Sequence, residues 1–138
     1  MRIMAIDYGD AHTGIAISDP TGFMTGYATV INAYRPEVVV QQITALVKEY
    51  GVEELVLGHP INMDGSRGPR SEKAQAMKAL LEEALTQPVI LWDERRTTID
   101  AHQILMNNGK NAKKRKTVVD AVAASLILEG YLTFRKSR

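Results

Sequence analysis

The sequence has no cysteine among its 138 residues. That excludes a disulfide framework and any thiolate metal site, and it fits a reducing compartment. Long apolar runs are missing too, since none approaches the roughly 20 residues a membrane span needs. Asp7 and Asp10 interrupt any signal-peptide core at the N-terminus. These features predict a cytoplasmic protein with no membrane partner. Aromatic residues make up only 6% of the chain, so no stacking platform for unpaired bases is evident. What is present is ordinary for a globular protein, 45% hydrophobic and 24% charged. The length suits one domain over 1–138 with a sizeable core, and no repeat or low-complexity segment divides it.

The net charge of +1 conceals an asymmetry. Residues 110 to 138 hold eight Lys or Arg against Asp120 and Glu129, a net +6, which leaves −5 on the remainder. A basic C-terminal part on an acidic body points to a polyanionic partner, or to a solvated helix end and tail.

Chemistry first shows in Met1 to Asp19. The apolar run Ile3-Met4-Ala5-Ile6 ends on a single carboxylate, Asp7. After a turn containing Tyr8-Gly9, a second run, Gly14-Ile15-Ala16-Ile17, stops on Ser18-Asp19. Two such runs joined by a short turn read as a β-hairpin, and a run without polar alternation suits a strand buried on both faces. A carboxylate there must be paired, hydrogen-bonded or metal-bound, because a bare charge in low dielectric costs several kcal/mol or more.

Further on, 25–31 alternates as a third strand. The spacing of Val39, Val40, Ile43, Leu46, Val47 and Tyr50 predicts a helix over 36–50, opened by Pro36 and stopped by Gly51. Leu55-Val56-Leu57 reads as a buried strand and 60–70 as a loop. A helix over 71–85 turns Ala74, Met77, Leu81 and Ala84 inward. Residues 89–92 form a fifth strand, a third helix runs from Thr97 or Thr98 to about Asn108, and a basic loop follows. The last helix covers about 115–134. The order is a β-meander followed by crossover units. Right-handed crossovers then leave an α/β fold with a five-stranded mixed sheet of order 3-2-1-4-5, flanked by helices. That is a ribonuclease H-like arrangement.

In such a sheet Asp7 and the pair Asp93-Glu94 end parallel strands at the carboxyl edge, where α/β folds build their sites. With one strand between them, their backbones stand about 9 to 10 Å apart. Alternation sends Asp93 and Glu94 to opposite faces, so one of them joins Asp7. The longer Glu94 reaches more easily, with Asp93 as its substitute. Asp120 shares a helix face with Ala123, Ala124, Ile127 and Tyr131, an apolar face that turns toward the protein. Three carboxylates without a His cluster suit a hard cation, Mg²⁺ or Mn²⁺. Two such ions about 3.5 to 4 Å apart are the usual clamp for phosphodiester cleavage. Each acid also has a plainer role. Asp7 could cap a turn, Asp93 or Glu94 could pair with Arg95 or Arg96, and Asp120 could cap a helix starting at Val118.

Several motifs stand in a telling order: Asp7-Tyr8-Gly9, Gly14-Ile15-Ala16-Ile17-Ser18-Asp19, Gly58-His59-Pro60, Asn62-Met63-Asp64-Gly65 and Gly68-Pro69-Arg70. Trp92-Asp93-Glu94-Arg95-Arg96-Thr97-Thr98 and Asp120-Ala121-Val122-Ala123-Ala124 complete the series. With these motifs the chain resembles the YqgF (RuvX) family over nearly its whole length. The resemblance implies a ribonuclease H-like, metal-dependent nuclease, described both as a Holliday-junction resolvase homologue and as the nuclease maturing the 5′ end of pre-16S ribosomal RNA. The family's acidic positions fall on Asp7, the Asp93-Glu94 pair and Asp120. Two positions depart from the family. Ala11-His12 stands where a Lys or Arg is usual, so His12 takes the phosphate-facing role less strongly at neutral pH. His59 replaces a commonly apolar residue and reads as a surface histidine.

Other polar groups suit a phosphate-rich substrate. Arg67 and Arg70 lie in the Gly-rich loop at a helix start. Arg95 and Thr97 lie at another, while Lys113, Lys114, Arg115 and Lys116 enlarge the basic footprint. The expected partner is nucleic acid, an rRNA precursor first and branched DNA second. The apolar faces are consumed by the core, so a monomer or weak homodimer is expected. Two rivals stand beside this reading. An actin-like nucleotide-binding fold would need a second domain that 138 residues cannot hold. A noncatalytic nucleic-acid or ribosome-precursor binding module would leave the carboxylates structural.

Overall fold

The computed structural model describes residues 1–59, 68–93 and 112–136, with backbone alone for 112–120. Five strands form one sheet: β1 (Arg2–Asp7), β2 (His12–Ser18), β3 (Thr25–Asn32), β4 (Val52–His59) and β5 (Val89–Asp93). Their order is β3-β2-β1-β4-β5. β1 pairs antiparallel with β2 and parallel with β4, and β4 pairs parallel with β5. This is the predicted ribonuclease H-like sheet.

Three helices are described: α1 (Pro36–Tyr50), α2 (Pro69–Ala84) and α3 (Ala112–Lys136). The sheet separates two cores. Met4 and Ile6 of β1, Ile15 and Ile17 of β2, and Leu55 and Leu57 of β4 meet Val39 and Ile43 of α1 and Met77 and Leu81 of α2. On the other face Ile3 and Ala5, Ala16 and Val56 meet Ala124, Ile127 and Leu128 of α3. β1 is therefore covered on both sides, which is why RIMAID lacks alternation. Each fully buried Ile, Leu or Met contributes roughly 1.5–3 kcal/mol. Alanines on both sides of the second core, Ala5 and Ala16 against Ala123 and Ala124, let α3 lie close to the sheet.

Local chemistry fixes the helix ends. Pro36 opens α1, and Gly51 ends it in the left-handed conformation (φ 67°), its N–H returning to the Val47 carbonyl. Pro69 opens α2 two residues earlier than the sequence pattern suggests. Ala84, expected inward, is exposed, because the helix ends there and Leu85 takes over the packing against the core. β4 is longer than its apolar centre, running from Val52 to His59. α3 starts at Ala112, so Lys113 to Lys116 belong to the helix and not to a preceding loop. The helix expected from Thr97 or Thr98 to Asn108 lies outside the described residues. Among those described, no helix is long and apolar enough to cross a membrane.

Candidate active site at the carboxyl edge of the sheet

Asp7 is the last residue of the central strand, partly buried and directly opposite Gly14 of β2. Its face follows from strand parity. Ile3 and Ala5 belong to the core beneath α3, so Asp7 lies on the α3 side. β4 and β5 end at the same edge, with His59 in register with Asp93. Asp93 has the parity of Val89 and Leu91, which belong with the α1 and α2 side. Asp7 and Asp93 therefore occupy opposite faces, as alternation predicts for one member of the acidic pair. Glu94 lies outside the described residues.

Asp120 is the ninth residue of α3, well inside the helix. A start at Val118 with Asp120 as its cap is thereby overturned. Its helix position lies three and four residues before Ala123 and Ala124, both fully buried. The continuation of that face, Ile127 and Tyr131, is buried as expected.

The turn between β1 and β2 is built for close approach. A Cβ at Gly9 would run into the His12 backbone carbonyl oxygen, so the turn needs glycine there. Asp10 in this turn accepts a salt bridge from Lys73 Nζ of α2 at 2.6 Å, on the surface. Tyr8 packs against the α1–α2 core. Burial raises its phenol above the ordinary value, the Asp10 and Glu37 charges add to the rise, and Lys73 opposes it.

His12 opens β2 with the parity of Gly14 and Ala16, on Asp7's face and diagonal to it, roughly 7–8 Å away by sheet geometry. Its Nδ1 lies 2.6 Å from Oδ1 of Asn32, its partner across β3. Donation from Nδ1–H to that oxygen orients the ring. Asn32 was not legible as a site neighbour, because its place depends on the β2–β3 register. The structure thus brings Asp7, His12 and Asn32 together on one face.

His59 corrects an expectation. It is buried (6% exposed), because its parity turns it toward α2, where Nε2 lies 2.6 Å from Ser71 Oγ. Ser71 Oγ also accepts from Gln75 Nε2 at 3.2 Å. The pair ties the end of β4 to the first turn of α2, next to exposed Arg70. Arg67, Arg95 and Thr97 lie outside the described residues. Lys113, Lys114, Arg115 and Lys116 occupy the opening turns of α3. Among the described residues, no group of three His, Cys, Asp or Glu is close enough to hold a metal.

An antiparallel hairpin feeding a parallel pair, with an acid closing the central strand and a helix bearing a second acid across the same face, defines a ribonuclease H-like protein. The sequence matches the family model described as "RuvX: Holliday junction resolvase" over residues 1–134, and the chain belongs to the RuvX family. It is 46% identical to a Halothermothrix orenii protein named "Putative pre-16S rRNA nuclease", covering 98% of this chain and 96% of that relative. A protein of the same name from Pelotomaculum thermopropionicum is 44% identical, covering 96% and 86%. Among solved structures, Thermus thermophilus RuvC in complex with a Holliday junction substrate aligns with a TM-score of 0.65. At 14% identity, over 99% of this chain and 96% of that one, this likeness is one of fold.

Proposed function

We propose that the chain is a metal-dependent endonuclease acting on structured nucleic acid, in the 5′-end maturation of pre-16S rRNA. The observation that carries the reading is Asp7, an acid closing the most buried strand on the face that α3 covers. Full-length similarity to relatives named as pre-16S rRNA nucleases supports the substrate.

Asp7, Glu94 and Asp120 are the residues that would hold the cation. Glu94 follows Asp93 in sequence, and Asp93 has the parity opposite to Asp7's, while Asp120 stands three and four residues before the buried Ala123 and Ala124. An all-oxygen donor set of this kind fits Mg²⁺ or Mn²⁺. Such an ion would supply Lewis acidity, lowering the pKa of water and neutralising charge on the phosphodiester. The remaining work falls to the chain. Gly14 carries no side chain opposite Asp7, and Gly9 lets the turn beside it close against the His12 carbonyl. His12, oriented by Asn32, donates to a phosphate oxygen when protonated. Arg70 at the start of α2, with Arg67, Arg95, Thr97 and the Lys113–Lys116 cluster, binds the phosphate backbone and sets its register without reading sequence.

A second reading, resolution of branched DNA, is favoured by the family description and by the fold shared with RuvC. Cleavage of a pre-16S rRNA fragment and of a four-way DNA junction, side by side with Mg²⁺ or Mn²⁺ and with Asp7→Asn as control, tests both. Cleavage of the RNA alone, lost in Asp7→Asn, is the expected result. Cleavage of neither substrate with either metal would leave the noncatalytic binding module as the better account.

A further inference from the structure

His12 and Asn32 face each other across β2 and β3, on the side of the sheet that carries Asp7. Their contact, Nδ1 to Oδ1 at 2.6 Å, fixes more than the direction of the ring. An amide oxygen has no proton to give, so the hydrogen between the two atoms belongs to Nδ1. A neutral imidazole carries a single N–H. With that proton on Nδ1, Nε2 keeps a bare lone pair, and the neutral ring presents an acceptor. A lysine or arginine in its place would offer donors alone.

The backbone closes the register on both sides of this pair. Next along the ladder, Thr13 lies opposite Ile31, and both are buried. On the other side the Ala33 N–H donates to the Ala11 carbonyl at 3.0 Å. His12 itself is half-buried, and its ring makes no other hydrogen bond among the described residues.

Strand order gives the direction of the lone pair. The two nitrogens of an imidazole point to roughly opposite sides of the ring. Nδ1 is engaged on the β3 side, so Nε2 is turned away from β3, to the side of β2 on which β1 ends at Asp7. Gly9 and Gly14 place no side chain between them. The other side chains of the turn go elsewhere, Tyr8 to the α1–α2 core and Asp10 to Lys73 of α2. An acceptor and the proposed metal-binding acid thus share one face, their residues roughly 7–8 Å apart by sheet geometry.

We propose that neutral His12, held in this tautomer by Asn32, accepts a hydrogen bond from a ribose 2′-hydroxyl of the strand whose phosphodiester lies at Asp7, and so selects RNA over DNA. The 2′-hydroxyl is the backbone group that RNA has and DNA lacks, and it donates as well as accepts. Phosphate oxygens in a diester only accept, so they have nothing to give to a bare Nε2. Protonation turns Nε2 into the phosphate donor described above and removes the acceptor. His12 is the residue in contact, and Asn32 is a positioning residue that acts through it. The plainer account is a cross-strand bond that stabilises the hairpin and serves every substrate alike. The inference rests on the pre-16S rRNA reading and deepens it, because branched DNA offers no 2′-hydroxyl.

The test separates the hydrogen bond from the shape of the sugar and from catalysis. A fluorescein-labelled RNA hairpin with a single-stranded arm is made with ribose, 2′-fluoro or 2′-deoxy sugars throughout. A 2′-fluoro sugar keeps the ribose-like pucker and cannot donate. Each hairpin is titrated by anisotropy in EDTA at about pH 8, on the neutral side of ordinary imidazole titration. The proteins are wild type, His12→Lys, Asn32→Leu and Asn32→Asp. Wild type should prefer ribose over 2′-fluoro by about three- to ten-fold, the worth of one hydrogen bond. His12→Lys should lose that preference while binding the 2′-fluoro hairpin at least as tightly as wild type does, since an ammonium holds phosphate whatever the sugar. Asn32→Leu should lose most of the preference, and Asn32→Asp, which still accepts from Nδ1–H, should keep it. Equal binding of ribose and 2′-fluoro hairpins by wild type overturns the proposal, as does a full preference in His12→Lys. A loss in Asn32→Leu that is the same for both hairpins assigns the pair to the fold and also overturns it. If wild type shows the preference but cleaves nothing with Mg²⁺ or Mn²⁺, the nuclease reading fails and the ribose contact stands. If it cleaves RNA but binds both hairpins alike, the nuclease reading stands and the ribose contact fails.

Discussion

His59 Nε2 and Ser71 Oγ meet at 2.6 Å in a buried site that joins the end of β4 to the start of α2. Ser71→Ala removes that bond from a buried ring nitrogen, at a cost of about 1–3 kcal/mol. His59→Leu, which removes the polar ring altogether, leaves Ser71 with Gln75 as its remaining partner in the pair's network. The double variant should therefore be more stable than the sum of the single losses implies, by about 0.5–3 kcal/mol. Urea unfolding of the four proteins measures this. Simple additivity would show that the two residues do not act as a unit.

Asp7 makes the strongest claim on activity. Asp7→Asn and Asp120→Asn keep the size of the side chain and remove its charge, so cleavage should fall by on the order of 100-fold or more. Binding of uncleaved RNA should persist, because the phosphate contacts come from other residues. EDTA should abolish cleavage by wild type, and Mg²⁺ or Mn²⁺ should restore it. Unchanged cleavage in Asp7→Asn would show that this carboxylate serves the fold alone.

The strand order was legible because short turns join the first three strands into a meander and helical crossovers of one hand place the last two. Asp7 was legible because one acid ending a four-residue apolar run has few structural explanations. His59 was misread, since its face depends on counting parity from Leu55 and Leu57, and the sequence does not show where β4 stops. Asn32 was missed for a related reason: nothing local says that it stands opposite His12. Ala84 looked inward by helical spacing, but helix spacing holds only as far as the helix runs. The contact between Phe23 and Lys136 was invisible because the two residues lie far apart in the chain.

Gly9 is set by contact and not by φ. An alanine there would press its methyl against the His12 carbonyl oxygen, a backbone atom that cannot swing aside. The turn must shift to make room, so Gly9→Ala should cost about 1–3 kcal/mol, as overpacking does elsewhere. His12 would move with its carbonyl and loosen its bond to Asn32. Thermal unfolding measures the first effect. A lowered affinity for phosphate-bearing substrate with an intact Asp7 measures the second. A variant as stable as wild type would show that the turn has slack.

Asp19 makes stability depend on pH with a definite sign. The Thr21 hydroxyl and the Phe23 amide, with Met24 and Gly22 amides behind them, hold its carboxyl below the ordinary carboxylate value despite a small opposing effect of burial. Around the ordinary value the unfolded chain then binds more protons than the folded one, so stability rises with pH there. The contribution is present above that value and lost as pH falls through the lowered folded value. Glu37, held low by its own backbone amide and by Arg35, has the same sign and sets a shared background. Asp19→Asn should therefore melt below wild type at neutral pH, and the gap should close as pH falls through the ordinary carboxylate value and below it. A gap in melting temperature that stays constant with pH would mean that the carboxylate's charge contributes nothing to the turn.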